Sequence, residues 1–162
     1  MTRHLRIRLE KTGVSCFAAM LEEEAPETSN VIWDKLPLAG PLWHAKYASN
    51  EIYTLAPPLT VEPLPPENPT VAPASGDVVV WDFPAGMFPH GVRRRLGLDG
   101  HRRIVDVALF YNRNNLVFSP QLGWCAGNVF ATVTEGLSEM REACYDLWTG
   151  GWRDERLIFE RA

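Results

Sequence analysis

Three short stretches of the sequence combine aromatic rings with polar side chains that could hold a small molecule. The first is residues 43–53, the second is residues 110–113, and the third is QLGWCAGN, residues 121–128. Aromatic walls with a few polar groups are the usual composition of small-molecule sites. The glycines of the third stretch would let a ligand approach the backbone closely. The candidate side chains are His44, Lys46, Tyr47, Glu51 and Tyr53 in the first stretch, Phe110, Tyr111, Asn112 and Arg113 in the second, and Trp124, Cys125 and Asn128 in the third.

Each of these side chains also has a purely structural interpretation. His44, between Trp43 and Ala45, is equally consistent with a hydrogen-bonded histidine inside a strand, and Lys46 and Glu51 with a surface ion pair. A cysteine nucleophile needs a neighbouring base, and none is identifiable beside Cys125, so a buried and unreactive thiol is the alternative there. Trp124, set near two glycines, is the strongest candidate for stacking against a ligand.

A second charged feature is residues 84–103, which we predict to be a long loop rich in arginine. Its guanidinium groups could bind phosphate or carboxylate groups, pair with acids of a neighbouring subunit, or stay solvated. The loop lacks the interleaved aromatic residues that single-stranded RNA binding requires. The four histidines have no spacing typical of a zinc site, so we predict no metal and no cofactor. The arginines are Arg93, Arg94, Arg95, Arg102 and Arg103, and the histidines are His4, His44, His90 and His101.

Length and composition limit the class of protein. A chain of 162 residues with 46% hydrophobic and 22% charged residues is expected to form one domain, residues 1–162. The net charge of −4 argues against nucleic-acid binding. Three cysteines without a C-x-x-C motif predict no disulfide framework and a reducing cytoplasm. We see no signal peptide and no apolar run that would span a membrane, so we expect a cytoplasmic protein with no membrane partner.

The first third of the chain predicts a hairpin followed by a helix. Polar and apolar residues alternate over residues 4–10, and a Lys-Thr-Gly turn leads into a second apolar strand, so residues 4–21 predict a β-hairpin. Pro26 suits the first position of a helix, where acidic neighbours favour the helix dipole. Pro37 would end this helix.

The remainder predicts mainly strands. Residues 43–55 form two short strands, residues 77–83 and 104–111 form core strands, and residues 129–133 form another. Residues 57–73, with seven prolines, predict an ordered extended loop. A helical stripe follows Thr134, a candidate N-cap, and ends at Gly150 and Gly151. A last strand covers residues 157–159. About eight strands and two helices, with few helical crossovers, predict an antiparallel sheet or closed barrel.

Two of these stretches resemble the cyclophilins. FAAMLEEEAPETSNVIWDKL, residues 17–36, is similar to their first strand and helix, and NVFATVTEGLSEMREA, residues 128–143, to the segment before their second helix. The chain resembles still more closely a bacterial group of small cyclophilin-like proteins without an assigned activity. LPLAGPLWHAKYASNEIY, GDVVVW, ALFYN and GNVFA carry that similarity. The resemblance implies a mostly β fold with two helices: a closed, eight-stranded antiparallel β-barrel capped by helices.

The departures from cyclophilins bear on function. Ala45 stands where the Phe-His-Arg run of the isomerases has its arginine, and no Gln-Gly-Gly-Asp follows, so prolyl isomerase activity is not expected. We find no complete catalytic motif, and the catalytic residues stay unassigned. The resemblance implies a groove lined by the three stretches above, which would bind a small polar or anionic molecule. The alternatives are an interaction or self-assembly module, with a homo-oligomer as partner, and a weak prolyl isomerase. The implied ligand-binding residues are His44, Tyr47, Glu51, Tyr53, Phe110, Asn112, Trp124 and Asn128.

Overall fold

The computed structural model describes residues 2–46, 48, 50–151 and 154–162. Within these residues the chain is mostly β, with three α-helices, and every pair of neighbouring strands is antiparallel. The strands are β1 (His4–Leu9), β2 (Ser15–Met20), β3 (Leu38–Pro41), β4 (Trp43–His44), β5 (Glu51–Ala56), β6 (Pro69–Thr70), β7 (Asp77–Pro84), β8 (Arg103–Phe110), β9 (Phe118–Ser119), β10 (Gly123–Trp124), β11 (Gly127–Glu135) and β12 (Arg156–Arg161).

Eight of these strands form the wall of a nearly closed barrel, in the order β3-β12-β1-β2-β11-β7-β8-β5. The two-residue strands β4 and β6 attach to β5 and β11, while β9 and β10 form a separate small hairpin. The barrel almost closes where β5 lies beside β3. There the Thr54 hydroxyl donates a hydrogen bond of 3.0 Å to the carbonyl of Pro41. A Cβ on Gly40 would come within 2.4 Å of the Thr54 hydroxyl oxygen, so only glycine permits this approach.

The predicted hairpin over residues 4–21 is confirmed by β1 and β2, because the alternation of apolar residues matches the two faces of a barrel wall. Leu5, Ile7 and Leu9 are fully buried inside the barrel, and their strand neighbours are partly exposed. The strands β3, β6, β9 and β10 were not predicted. Each is four residues or shorter, which is too short for a periodic pattern.

The three helices are α1 (Pro26–Lys35), α2 (His90–Arg95) and α3 (Leu137–Gly150). Pro26 does start α1, and the buried stripe of α3 is formed by Met140, Cys144 and Leu147 as predicted. Thr134 is not the N-cap of α3, because β11 continues through Glu135 and the cap falls on Gly136.

Two predicted loops have more order than their sequences indicated. Residues 84–103 contain a short 3-10 helix, Ala85–Met87, and the helix α2, so the prediction of a loop without a helix was wrong. The sequence hid α2 because none of its residues is buried and no apolar period marks it. The proline-rich residues 57–73 pair with β11 through β6, but the chain bends at residues 59–62, 67–68 and 71–72 and is not extended throughout.

The strand β8 is buried on both faces, which sets it apart from β1. Val105, Val107 and Leu109 point into the barrel core, whereas Ala108 and Phe110 belong to a second apolar cluster outside the wall. Ala45, Ala48 and Val117 pack at this outer cluster. A barrel wall that is covered on its outer face offers room for a site between the wall and its cover.

Candidate functional site

The register of three neighbouring strands places two acids and a tyrosine on this outer face. Asp106 of β8 lies opposite Trp81 of β7 and Leu55 of β5. Two residues further along β8, Ala108 lies opposite Tyr53, and Phe110 then lies opposite Glu51. Directly paired residues in antiparallel strands point to the same face. Glu51, Tyr53 and Asp106 therefore share the outer face of the barrel.

These side chains line an open cavity of about 250 Å³ between the wall and its cover. The covering segment, residues 117–121, closes one side, and Ala45, Lys46 and Ala48 close another. Most of the remaining wall is aromatic, and it is formed by Trp81, Phe83, Phe88 and Phe118.

The aromatic wall is held in place by contacts around Trp81. Its indole N–H donates to the carbonyl of Cys125 at 3.1 Å, and its ring stacks on Phe83 with centroids 6.1 Å apart. A Cβ on Gly127 would lie only 2.3 Å from the indole ring, so this glycine makes the space that Trp81 occupies. Phe88 meets Phe83 edge to face, which extends the aromatic surface along the cavity.

The two carboxyl groups are buried without the partners that buried acids normally have. Glu51 is 6% exposed and Asp106 is 7% exposed, and neither forms an ion pair with any described residue. The Oδ1 atom of Asp106 is buried and has no hydrogen-bond partner among the described residues. Buried charges are otherwise paired or hydrogen-bonded, since leaving them uncompensated costs free energy.

Burial changes the protonation of these groups. It raises the pKa of Glu51 to about 8. Burial, and then the negative charge of Glu51, raises the pKa of Asp106 well above its usual range. Burial and the charges of Asp106 and Glu51 likewise raise the pKa of Tyr53, so its phenol stays neutral. The groups titrate as an interacting set, because each carboxyl lies close enough to perturb the other.

The cavity includes some of the side chains predicted as ligand-binding. Glu51 and Tyr53 line it, and Phe110 packs behind it, 6.2 Å from the Trp81 ring. Lys46 also lines it, but the predicted surface ion pair between Lys46 and Glu51 is absent from the described residues, because Glu51 is buried. Tyr47 lies outside the described residues.

His44 lies on the other face of the wall. It pairs with Ile52, which points into the barrel core. Its Nε2 is 2.6 Å from the Tyr111 hydroxyl, and its Nδ1 is 3.0 Å from the carbonyl of Ala45. Burial lowers the pKa of His44, although the Ala45 contact opposes this. The structural interpretation of this histidine as a hydrogen-bonded strand residue fits these contacts.

The remaining predicted residues lie apart from the cavity. Asn112 bonds through its amide to the Tyr145 hydroxyl, and its side-chain oxygen accepts from the backbone of Arg113. Asn128 is buried, and its oxygen accepts from the backbone N–H of Glu67 at 3.1 Å. Both asparagines therefore hold loops.

The positions of Trp124 and its neighbour Cys125 also differ from those that the ligand-site hypothesis implied. Trp124 is 61% exposed and packs edge to face on Phe118, a residue of the cavity wall, with ring centroids 5.4 Å apart. Burial raises the pKa of Cys125, whose thiol contacts the carbonyl of Gly123 at 3.3 Å. A protonated, buried thiol has little nucleophilic character.

The arginine-rich segment is divided by the fold. Arg103 forms an ion pair of 2.8 Å with Asp82, and its other nitrogen donates to the carbonyls of Thr60 and Val61. Arg93 donates to the carbonyl of Phe88. Because two of the five arginines are used in these internal contacts, the segment does not present one continuous basic surface.

Sequence reasoning missed Asp106, which is the most unusual residue of the cavity. A signal was available, since Asp106 is the single charged residue within the apolar run IVDVALF. An acid in a strand buried on both faces needs either a partner or a function.

In the described part of the chain, no group of three or more His, Cys, Asp or Glu side chains could hold a metal ion. Among the helices described, none is long and apolar enough to cross a membrane.

Comparison with known proteins places the chain in a family. Its fold resembles the structure of McbB in complex with tryptophan, with a TM-score of 0.64 and 16% identity over 97% of this chain, which spans 44% of McbB. It also resembles the solution structure of the hypothetical protein AF2241 from Archaeoglobus fulgidus, with a TM-score of 0.53 and 25% identity over 99% of this chain and 95% of that one. No curated protein matches the chain. Residues 7–159 match the model of the family described as "Protein of unknown function (DUF3830)", and the chain belongs to this family.

Proposed function

We propose that this protein binds a small organic molecule in the cavity on the outer face of β5, β8 and β7. The observation that carries the proposal is the coexistence of an aromatic wall with two buried carboxyls, Glu51 and Asp106, which have no ion-pair partner among the described residues. Apolar walls with a few directed polar groups are what small-molecule sites have in common. The carboxyls favour a ligand with hydrogen-bond donors over the anionic ligand that the sequence also allowed.

The dimensions of the cavity limit the ligand. A volume of about 250 Å³ is at the lower end for such sites, so we expect one or two fused rings with a short polar arm. Phe83 and Phe88 are half-buried, which leaves part of each ring for contact with a ligand. McbB was determined with tryptophan bound, so tryptophan belongs in the first ligand panel.

We also propose that residues 1–162 form one cyclophilin-like domain. The eight-stranded wall, with its helices α1 and α3 in the positions that the resemblance implies, supports this proposal. Ala45 lies in the cavity wall, so the residue that replaces the arginine of the isomerases faces the proposed ligand. We expect no acceleration of prolyl isomerisation above background in a protease-coupled peptide assay. A clear catalysed rate would contradict this expectation.

The ligand proposal is tested by a thermal-shift panel of aromatic amines, alcohols, carboxylates and amino acids. A ligand at 100 times its dissociation constant adds about 2.7 kcal/mol of stability, which raises the melting temperature by roughly 5–11 °C in a chain of this size. The variant Ala45→Phe places a ring into the cavity and should abolish the shift. Trp124→Ala, which changes an exposed ring outside the cavity, should retain it. A shift that survives Ala45→Phe would place binding elsewhere.

Self-assembly is a second candidate, favoured by a patch of exposed apolar side chains next to the cavity. Leu116, Phe118, Leu122 and Trp124 are between 45% and 61% exposed within nine residues of sequence. Exposed apolar patches of this kind often mark interaction surfaces. Light scattering coupled to size-exclusion chromatography should then show a dimer or larger assembly that Trp124→Asp dissociates. A monomer at all concentrations would remove this candidate.

A further inference from the structure

The cavity has a charge pattern that its aromatic wall alone does not explain. Glu51 and Asp106 are each more than nine-tenths buried, and within the described part of the chain Oδ1 of Asp106 has no hydrogen-bond partner. Both side chains line the same cavity. An apolar ligand would leave this oxygen unsatisfied, whereas a positively charged hydrogen-bond donor would satisfy it.

We infer that the ligand is an organic cation, a primary or secondary ammonium carried on a flat apolar body, whose N–H groups are received by Glu51 and Asp106. This inference rests on the small-molecule function proposed above. An ammonium offers two or three donors and a full charge, so it can satisfy both carboxyls at once.

The register gives the ammonium a place between the two acids. Glu51 and Asp106 are attached at opposite ends of a short stretch of the outer face, and Tyr53 and Ala108 form the pair between them. Tyr53 lines the cavity at this middle position, opposite the buried Ala108. The Tyr53 phenol, which stays neutral, can accept a further hydrogen bond from the same ammonium.

The aromatic wall explains why the cation is organic rather than a metal ion. A hard metal such as Ca²⁺ needs six to eight oxygen ligands. The cavity supplies two carboxyls and a phenol, and its other large side chains are Trp81, Phe83 and Phe88. Aromatic faces attract cations and pack flat apolar groups, which suits an arylalkylamine.

Few other charges face the pair. Among the described residues that line the cavity, Lys46 is the single cation, and its side chain is exposed at the rim without an ion pair to either acid. The polar residues of the covering segment, Ser119 and Gln121, are neutral. The strand β7 and the segment at Met87 and Phe88 contribute apolar side chains. An incoming ammonium would therefore be the main positive charge at the two acids.

Binding of a cation should release a proton. Burial keeps Glu51 mainly protonated at neutral pH while the cavity is empty, since its pKa is about 8. A cation favours the ionised carboxylate, so its arrival lowers this pKa and expels the proton to the buffer. Close to one proton per bound amine is expected near pH 7. A neutral ligand of the same shape should release none.

The test compares three probes of one shape: 2-phenylethylamine, 2-phenylethanol and phenylacetate, together with the matching indole series. Titration calorimetry in two buffers of different ionisation enthalpy measures both affinity and proton release on the unmodified protein. We expect the amine to bind at least about tenfold more tightly than the alcohol. We expect the carboxylate to bind most weakly. Equal affinities, or no proton release by the amine, would overturn the inference and leave the small-molecule proposal standing.

Variants of Glu51 and Asp106, with a control elsewhere, separate the effect of these two carboxyls on binding from the effect of overall charge. Glu51→Gln and Asp106→Asn keep the side-chain shapes, and each should weaken the binding of the amine by at least about tenfold more than the binding of the alcohol. The control Glu139→Gln removes the same charge from an exposed position on α3 and should change neither affinity. An amine that binds both pair variants as tightly as the unmodified protein would refute the inference. If no member of either series binds, both this inference and the small-molecule proposal fail.

Discussion

Two regions of this protein bury carboxyl groups to the same degree and treat them in opposite ways. Glu155, 3% exposed, accepts hydrogen bonds from the backbone N–H groups of Lys11, Thr12 and Arg156 at 2.8, 3.2 and 2.9 Å. Glu51 and Asp106 are 6% and 7% exposed, and no described residue forms a hydrogen bond with Oδ1 of Asp106. The first carboxyl holds the hairpin turn against the start of β12. The other two face a cavity.

The hydrogen bonds that a buried carboxyl accepts distinguish a structural role from a functional one. A carboxylate that accepts several backbone hydrogen bonds stabilises the fold, and its burial needs no other explanation. A carboxyl that is buried without a partner lowers stability, and proteins retain such groups mainly at sites that act on something else. Substitutions at the two sites test whether these carboxyls differ in their effect on stability.

The largest effect should be on pH dependence at the cavity. Because the pKa of Glu51 is raised from 4.5 to about 8, the unfolded chain loses its proton at lower pH than the folded protein does. This group therefore lowers the free energy of unfolding progressively as pH rises from about 4.5 to 8. Glu51→Gln should remove this decline, so its advantage over the unmodified protein grows with pH in urea unfolding. Parallel pH profiles for the two proteins would contradict the assignment.

Glu155→Ala should lower the free energy of unfolding, whereas Glu51→Gln should raise it. Glu155→Ala removes the acceptor of three backbone N–H groups and should cost about 3 kcal/mol of unfolding free energy at pH 7, because lost partners of buried donors are expensive. Glu155→Gln keeps one acceptor oxygen and should cost less. Urea midpoints for both variants, beside Asp106→Asn, give the comparison directly. If Asp106→Asn loses as much unfolding free energy as Glu155→Ala, the two kinds of buried carboxyl do not differ in their contribution to stability.

A smaller effect should separate the buried Tyr111 from the half-buried Tyr53. Tyr111→Phe removes the hydroxyl that lies 2.6 Å from Nε2 of His44 and should cost about 1–2 kcal/mol. Tyr53→Phe, on the cavity side, should change stability by less than about 0.5 kcal/mol. Chemical denaturation of the two variants tests this pair. Equal losses would mean that the Tyr53 hydroxyl is also a structural group.

The smallest effect should come from Trp124→Ala. This ring is 61% exposed and contacts Phe118 at its edge, so we expect a change within about 0.5 kcal/mol. Thermal melting at two protein concentrations measures it. A large loss that grows with concentration would instead assign the ring to an interface between copies.

The sequence predicted local features better than non-local ones. The alternation in residues 4–10 and the position of Pro26 were sufficient to place β1 and α1, because each depends on neighbours in the chain. The cavity depends on the register of β5, β8 and β7, whose residues are 25 to 55 positions apart. Glu51 and Tyr53 were found because they stand near aromatic residues. Asp106 was missed because its neighbours in sequence are apolar and its neighbours on the face come from other strands.

The near-closure of the barrel beside β3 has a consequence for motion. One edge of β5 is bound along its length to β8, while the other meets β4 over two residues and approaches β3 at Thr54 and Gly40. Backbone amides along such an edge open more readily than those inside a ladder. Hydrogen–deuterium exchange should therefore be faster in β3 and β5 than in β7 and β8. The wall that bears Glu51 would then be the adjustable side of the cavity, and a bound guest would slow its exchange.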